Sequence, residues 1–178
     1  MRQGFRETSV RQVAERAEVS EQTVYNAFGD KIGLLWHAGM RYIDAGGGQD
    51  EQALLDALRA EPDPTERIRL VARSSRETWE SGALELELLA FSAESRDPRL
   101  QDLEQRGLKH KLESTRAVCE ILFPEGIRRP GLTLDDIAEF ATAVDSAATV
   151  TTLLKLGWTM DRWERWVSDF LSLFLDTH

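Results

Sequence analysis

Apolar residues recur at three- and four-residue spacing along the chain, and no convincing period-two run flanked by hairpin turns interrupts them. That pattern restricts the fold to packed helices, an all-α protein. Val150-Thr151-Thr152-Leu153-Leu154 has strand-like composition, but it continues a longer helical stripe. Thr8 or Ser9 is placed to cap a helix running to Ala17, and Ser20 to cap one over 21–28. After Gly29, Asp30 caps a third carrying Leu34, Leu35, Ala38 and Tyr42 on one side. Gly46-Gly47-Gly48 cannot continue a helix without a large entropic cost. The spacing therefore predicts two units: a head over 1–45 and a body over 46–178.

The body's helices are longer. One is expected over 51–60, ended by Pro62 and Pro64, and one over 65–81 with Ile68, Val71, Ala72, Ser75 and Trp79 on one face. Another follows over 84–95. A long helix over 99–123 carries Leu100, Leu103, Leu108, Leu112, Thr115, Val118, Cys119 and Leu122. Thr133 caps a helix over 133–156, with Gly157 at the left-handed residue past its end. Thr159 or Asp161 caps the last helix, expected to end near Asp176.

Composition narrows the function. With 22 basic against 31 acidic residues the net charge is −9, which argues against a sequence-blind polyanion binder. The basic residues Arg2, Arg6, Arg11, Arg16, Lys31 and Arg41 of the first 45 positions balance Glu7, Glu15, Glu18, Glu21, Asp30 and Asp44. The negative charge thus lies in the body, leaving the neutral head as the surface for any nucleic acid. Cys119 is the only cysteine, so neither an internal disulfide nor a thiolate zinc cluster is available, as suits a reducing cytoplasm. The first residues have no apolar signal region, and the most apolar stretch, 140–156, carries Asp145 and Lys155, so no membrane partner is expected.

Residues 9–28 carry the functional signal. Two short helices joined by Glu18-Val19-Ser20 read as a helix-turn-helix. Val10, Val13, Ala14 and Ala17 form the first helix's apolar face, Val19 plugs the turn, and Val24 with Phe28 holds the second helix in place. Glu21, Gln22, Thr23, Tyr25 and Asn26 are left largely outward, side chains of the kind that reach base edges and phosphates from a major groove. By pattern alone, an αα-hairpin with a polar face is the competing reading. An enzyme finds no support: His37, His110 and His178 stand in separate elements, and no nucleophile elbow, zinc-helix motif, phosphate loop or Cys-x-x-Cys is present. No metal site and no cofactor are expected.

Gly4-Phe5-Arg6-Glu7-Thr8-Ser9-Val10-Arg11-Gln12-Val13-Ala14 and Val19-Ser20-Glu21-Gln22-Thr23-Val24-Tyr25-Asn26-Ala27-Phe28-Gly29-Asp30-Lys31 closely resemble the tetracycline-repressor (TetR) family of bacterial regulators. The resemblance implies a DNA-binding head on a helical body that dimerises and binds a small-molecule inducer. It implies that Thr8, Tyr25 and Lys31 meet phosphates while Gln22, Thr23, Asn26 and Glu21 face bases of double-stranded operator DNA. It implies a ligand site among the middle helices, for which Trp79, Phe91, Thr115, Cys119, Asp145 and Thr149 combine apolar bulk with polar groups. Asp145 reads more readily as a solvated carboxylate. It implies a homodimer seam on the last two helices, with Ala141, Val144, Ala148, Thr151, Trp163, Trp166, Phe170 and Phe174 as contacts. Trp36 and His37 would lie on the helix joining head to body.

Two departures matter. Glu18 stands where the family usually has Gly, so a left-handed turn there would cost about 1 kcal/mol. The family also places a whole helix ahead of Gly4, where this sequence has Met1-Arg2-Gln3, so weak DNA binding by the chain as written is expected, with a gain on extension. The expected function is a cytoplasmic, ligand-released transcriptional repressor. The alternative is a ligand-binding protein of the same fold that no longer uses DNA.

Overall fold

The computed structural model describes residues 8–44, 51–81 and 97–176, which fold into nine helices and no strand longer than a single bridge. In the head, α1 (Val10–Arg16) begins where the Ser9 hydroxyl accepts the Gln12 amide and the Gln12 side chain accepts the Ser9 amide. This reciprocal cap satisfies two of the amides that a helix start leaves unpaired. α2 (Glu21–Phe28) starts on Ser20, whose Oγ accepts the Thr23 amide at 3.0 Å. α3 (Lys31–Asp44) starts on Asp30, whose Oδ1 accepts the Gly33 amide at 2.7 Å. Val10, Ala14 and Val24 form a small buried core closed by Phe28 and Leu34.

The expected apolar face is narrower than the sequence implies. Ala17, Val19 and Ala38 are exposed, Val19 by 42%. Ala17 caps the end of α1, beyond the point where Val10 and Ala14 meet α2, so neither it nor the turn after it is covered. Glu18 adopts φ 56°, the only left-handed residue other than glycine among those described. Glu18→Gly should therefore raise stability by roughly 0.5–1 kcal/mol, the left-handed penalty less glycine's extra unfolded-state entropy. A urea midpoint that falls on this substitution would contradict that assignment of strain.

The body contains α4 (Glu51–Ala60), α5 (Pro64–Glu80), α6 (Pro98–Leu122), α7 (Leu134–Val144), α8 (Ala147–Lys155) and α9 (Met160–Ser172). Asp63 and Asp97 cap α5 and α6 with Pro at the first helical position of each, one residue earlier than the sequence reading placed the starts. Pairing α9 with α5 and α7 with α6 encloses a core of Leu58, Ile68, Ala72, Cys119, Leu122, Phe123, Ile137, Val150, Trp163 and Val167. The predicted helix over 84–95 and the glycine run at 46–48 lie outside the described residues.

Three expectations are corrected. The helix predicted over 133–156 is two helices, α7 and α8, bent by 46°. At the break Ser146 takes extended φ/ψ and caps α8, while the Asp145 carboxylate turns to distant groups on α5. Leu108 and Leu154, assigned to apolar stripes, are 60% and 37% exposed. The last helix stops at Ser172, and the chain then pairs back on the α6–α7 loop through an antiparallel bridge of Arg128 with Leu175. Gly157 does occupy the left-handed position after α8, at φ 84°. No single helix among the described residues is long and apolar enough to cross a membrane, although α7 and α8 pass that test together across their bend.

Candidate DNA-reading face and ligand site

The outer face of α2 carries Glu21, Gln22, Thr23, Tyr25 and Asn26, all exposed, while Val24 on the opposite side is buried against α1. Helical spacing puts Gln22 and Asn26 side by side, and the Gln22 amide donates to Asn26 Oδ1 at 2.8 Å. This bond leaves the pair one carbonyl and one NH2 directed outward, a donor–acceptor set suited to a base edge. Thr23 shares its hydroxyl with Ser20 at 2.8 Å. Tyr25 extends its ring from the same helix with 44% exposure. Thr8 precedes the α1 cap and Lys31 opens α3, both half-buried.

Long-range contacts join this head to the body. Arg99, at the start of α6, forks onto Asp30 with two 3.0 Å bonds and also holds Asp97. Its guanidinium keeps both carboxyls below their usual range through those hydrogen bonds. Trp36 Nε1 donates to Asp102 Oδ2 at 3.2 Å. At Gly39 the helices touch: a Cβ there would lie 2.7 Å from the Leu103 side chain. Sequence reasoning placed Trp36 and His37 on this link but missed Arg99 and Asp102. The partners lie 66 and 69 residues apart, beyond any local spacing rule.

A polar network crosses the interior of the body. Asp145 Oδ1 accepts hydrogen bonds from Ser75 Oγ at 2.9 Å and from Trp79 Nε1 at 2.7 Å. Trp163 Nε1 donates to the same Ser75 hydroxyl at 3.0 Å. Trp79 and Trp163 are 5% and 2% exposed, so their N–H groups depend on these acceptors. The Lys111 ammonium lies 4.6 Å from the centre of the Trp79 ring. Of the ligand-site candidates, the structure thus brings Trp79 and Asp145 together. It corrects the solvated reading of Asp145, which is half-buried and hydrogen-bonded to α5. Thr149 turns back to Ser146, part of the α8 start, and stays out of the network. Cys119 is buried, its thiol pushed up to about 12 by desolvation, and it packs in the core. Thr115 is half-buried on α6, and Phe91 lies outside the described residues. Among the described residues, Thr142 Oγ1 and Thr151 Oγ1 are buried without a partner.

The last helices carry a run of aromatic rings. Trp163 stacks on Trp166 at 5.7 Å, Trp166 on Phe170 at 5.3 Å, and Phe170 meets both Phe140 at 5.9 Å and Phe174 at 5.1 Å. Phe140 ends the run on α7 with 58% of its surface exposed, beside an open groove of about 500 Å³ lined by Leu132, Ile137, Ala143 and Phe174.

Residues 1–38 match the family model described as bacterial regulatory proteins, tetR family. The N-terminal head thus matches the TetR family of regulators. HTH-type transcriptional regulators BetI from Yersinia pestis and Yersinia pseudotuberculosis are 34% identical to it over 104 residues, 57% of this chain and 52% of theirs. The chain therefore spans about half the length of these curated relatives. Solved structures agree in fold. A transcriptional regulator from Saccharomonospora viridis in complex with choline superposes with a TM-score of 0.76 at 16% identity, covering 98% of this chain and 91% of that one. A TetR-family regulator from Syntrophomonas wolfei gives 0.68 at 18% identity, covering 94% and 84%. The ketosteroid regulator KstR2 of Mycobacterium tuberculosis gives 0.58 at 18%, covering 97% and 87%.

On this helical body the seam candidates separate by burial. Trp163 and Ala141, two of the expected contacts with a second copy, are buried within the protomer itself at 2% and 8% exposure. Val144, Thr151, Trp166, Phe170 and Phe174 are half-buried and Ala148 is exposed. Sequence reasoning did not single out Phe140 of α7, 58% exposed, or Leu173 just past the end of α9, 61% exposed. Phe140 could have been found: it sits one residue before Ala141 in an otherwise polar position of the α7 pattern.

Proposed function

We propose that this chain is a homodimeric transcription regulator that occupies a palindromic operator and leaves it when a small organic ligand enters the body. The observation that carries the reading is the outer face of α2, five exposed polar or aromatic side chains backed by buried Val24. Gln22, Asn26, Thr23 and Glu21 would read bases, while Tyr25, Lys31 and Thr8 would hold phosphates. Residues 1–45 form the DNA-binding unit and 46–178 the ligand-binding and dimerisation unit. A two-fold axis through α7–α9 would set two α2 helices about 34 Å apart, on successive turns of the major groove. Ligand entry would move the heads out of that register, through α6 and the Arg99–Asp30 fork. Trp79 and Asp145 centre the ligand site, and an acidic carboxylate beside two indoles suits an organic cation. The choline held by the Saccharomonospora viridis regulator, which shares the fold, supports that class.

Selection from a randomised duplex pool at moderate salt tests the reading. The expected product is a palindrome with half-sites about one helical turn apart. Tyr25→Phe should then weaken binding by roughly tenfold on every sequence, one phosphate hydrogen bond's worth. Gln22→Ala or Asn26→Ala should instead relax preference at particular base pairs, by about 1–3 kcal/mol each. A pool with no enriched sequence would favour a ligand-binding protein of this fold that has left DNA behind.

A further inference from the structure

The Trp79 ring is held in an unusual way for a ligand-site residue. Its indole N–H is committed to Asp145 at 2.7 Å, and Asp145 is in turn fixed by Ser75, itself hydrogen-bonded by Trp163. Donation from the N–H to a carboxylate enriches the ring's electrons, so its face becomes a better seat for positive charge. That seat is occupied. Lys111 of α6 places its ammonium 4.6 Å from the ring centre, inside the range of a cation–π contact. A lysine is suited to a reversible occupancy, because its four-carbon stem can withdraw a compact charge to water.

We propose that Lys111 is a tethered stand-in for the ligand's cation, seated on Trp79 in the ligand-free protein and displaced when the ligand binds. The inference rests on the organic-cation reading of the ligand site given above. Thr142 adds an independent pointer to a ligand with a polar end. Its buried hydroxyl has no partner among the described residues and lies in the last turn of α7, three positions before Asp145 in the chain. A hydroxylated ammonium compound would answer both features. The exchange also occurs on the helix that grips the head: Lys111 stands twelve residues along α6 from Arg99, about 18 Å at helical rise. Competition for one ring face then makes Lys111 a residue that sets the affinity threshold for the ligand.

Calorimetric titration of the whole chain with choline chloride tests this. Lys111→Met and Lys111→Gln remove the charge and keep the stem, so both should bind choline about three- to thirty-fold more tightly than the unchanged protein. Lys111→Arg keeps a cation on the ring and should stay within about threefold of it. Equal or weaker binding by the two neutral variants, with choline bound by the unchanged protein, overturns the role of Lys111 alone. No binding by any of the four proteins overturns the organic-cation reading and this inference with it. Binding by the neutral variants only supports both.

Discussion

Phe140→Glu should leave a folded head and body that no longer retard operator DNA. Phe140 is 58% exposed, so the substitution removes little from the protomer's own core. Its ring ends the aromatic run through Phe170, Trp166 and Trp163, which leads from the buried core out to the surface of α7. In an isologous seam each change is made twice and meets its own copy near the axis. Two new carboxylates would lose water there beside Asp136 and Glu139, which already line the groove. Burying such unpaired like charges costs several kcal/mol, enough to dissociate a dimer of ordinary affinity. A monomer reaches one half-site, and losing the second loses the effective-concentration advantage, a factor of about 10²–10⁴. Sedimentation should give the protomer mass and a mobility-shift assay no complex, with helical circular dichroism retained. A dimer mass that survives the substitution would place the seam on another face.

Much of the fold was legible because its signals are local. Ser9, Ser20, Asp30, Thr133 and Thr159 cap the helices that follow them through bonds to amides three residues on, which a sequence displays directly. The left-handed position at Gly157 was readable for the same reason, whereas the one at Glu18 was raised by the family resemblance. The polar side of α2 followed from which residues had to bury Val24. What failed depends on partners far along the chain. Nothing between Thr133 and Leu156 marks a break, since alanine, valine and leucine continue the helical pattern past Ser146. The break is set by α5, whose Ser75 and Trp79 draw the Asp145 carboxylate across 70 and 66 residues. The bridge between Arg128 and Leu175 is of the same kind, as is the fork from Arg99 to Asp30. Such contacts decide how the body is coupled to the head, which is why the family resemblance supplied that link in outline and only the structure named its residues.

Trp163 concentrates this difficulty, and it yields the second large effect. The sequence presents it beside Trp166 and Phe170 as one more aromatic of a seam, yet it is 2% exposed and hydrogen-bonded to Ser75. Trp163→Ala should lower stability by about 3–5 kcal/mol, the cost of a large cavity in a packed core. For a chain of 178 residues that corresponds to a fall in Tm of roughly 6–20 °C. Trp163→Phe restores most of the volume but leaves the Ser75 end of the network short of one donor, so a loss of about 1–2 kcal/mol should persist. Because unfolding and dissociation of a dimer are linked, both variants need melting curves at several protein concentrations. A residue of the protomer core lowers Tm by the same amount at each concentration. A residue of the seam acts otherwise, raising the dissociation constant while the protomer's own unfolding stays nearly unchanged. If Trp163→Ala behaved in the second way, the aromatic run would have to be read as the dimer contact throughout, and the Asp145 network would lose its anchor on α9.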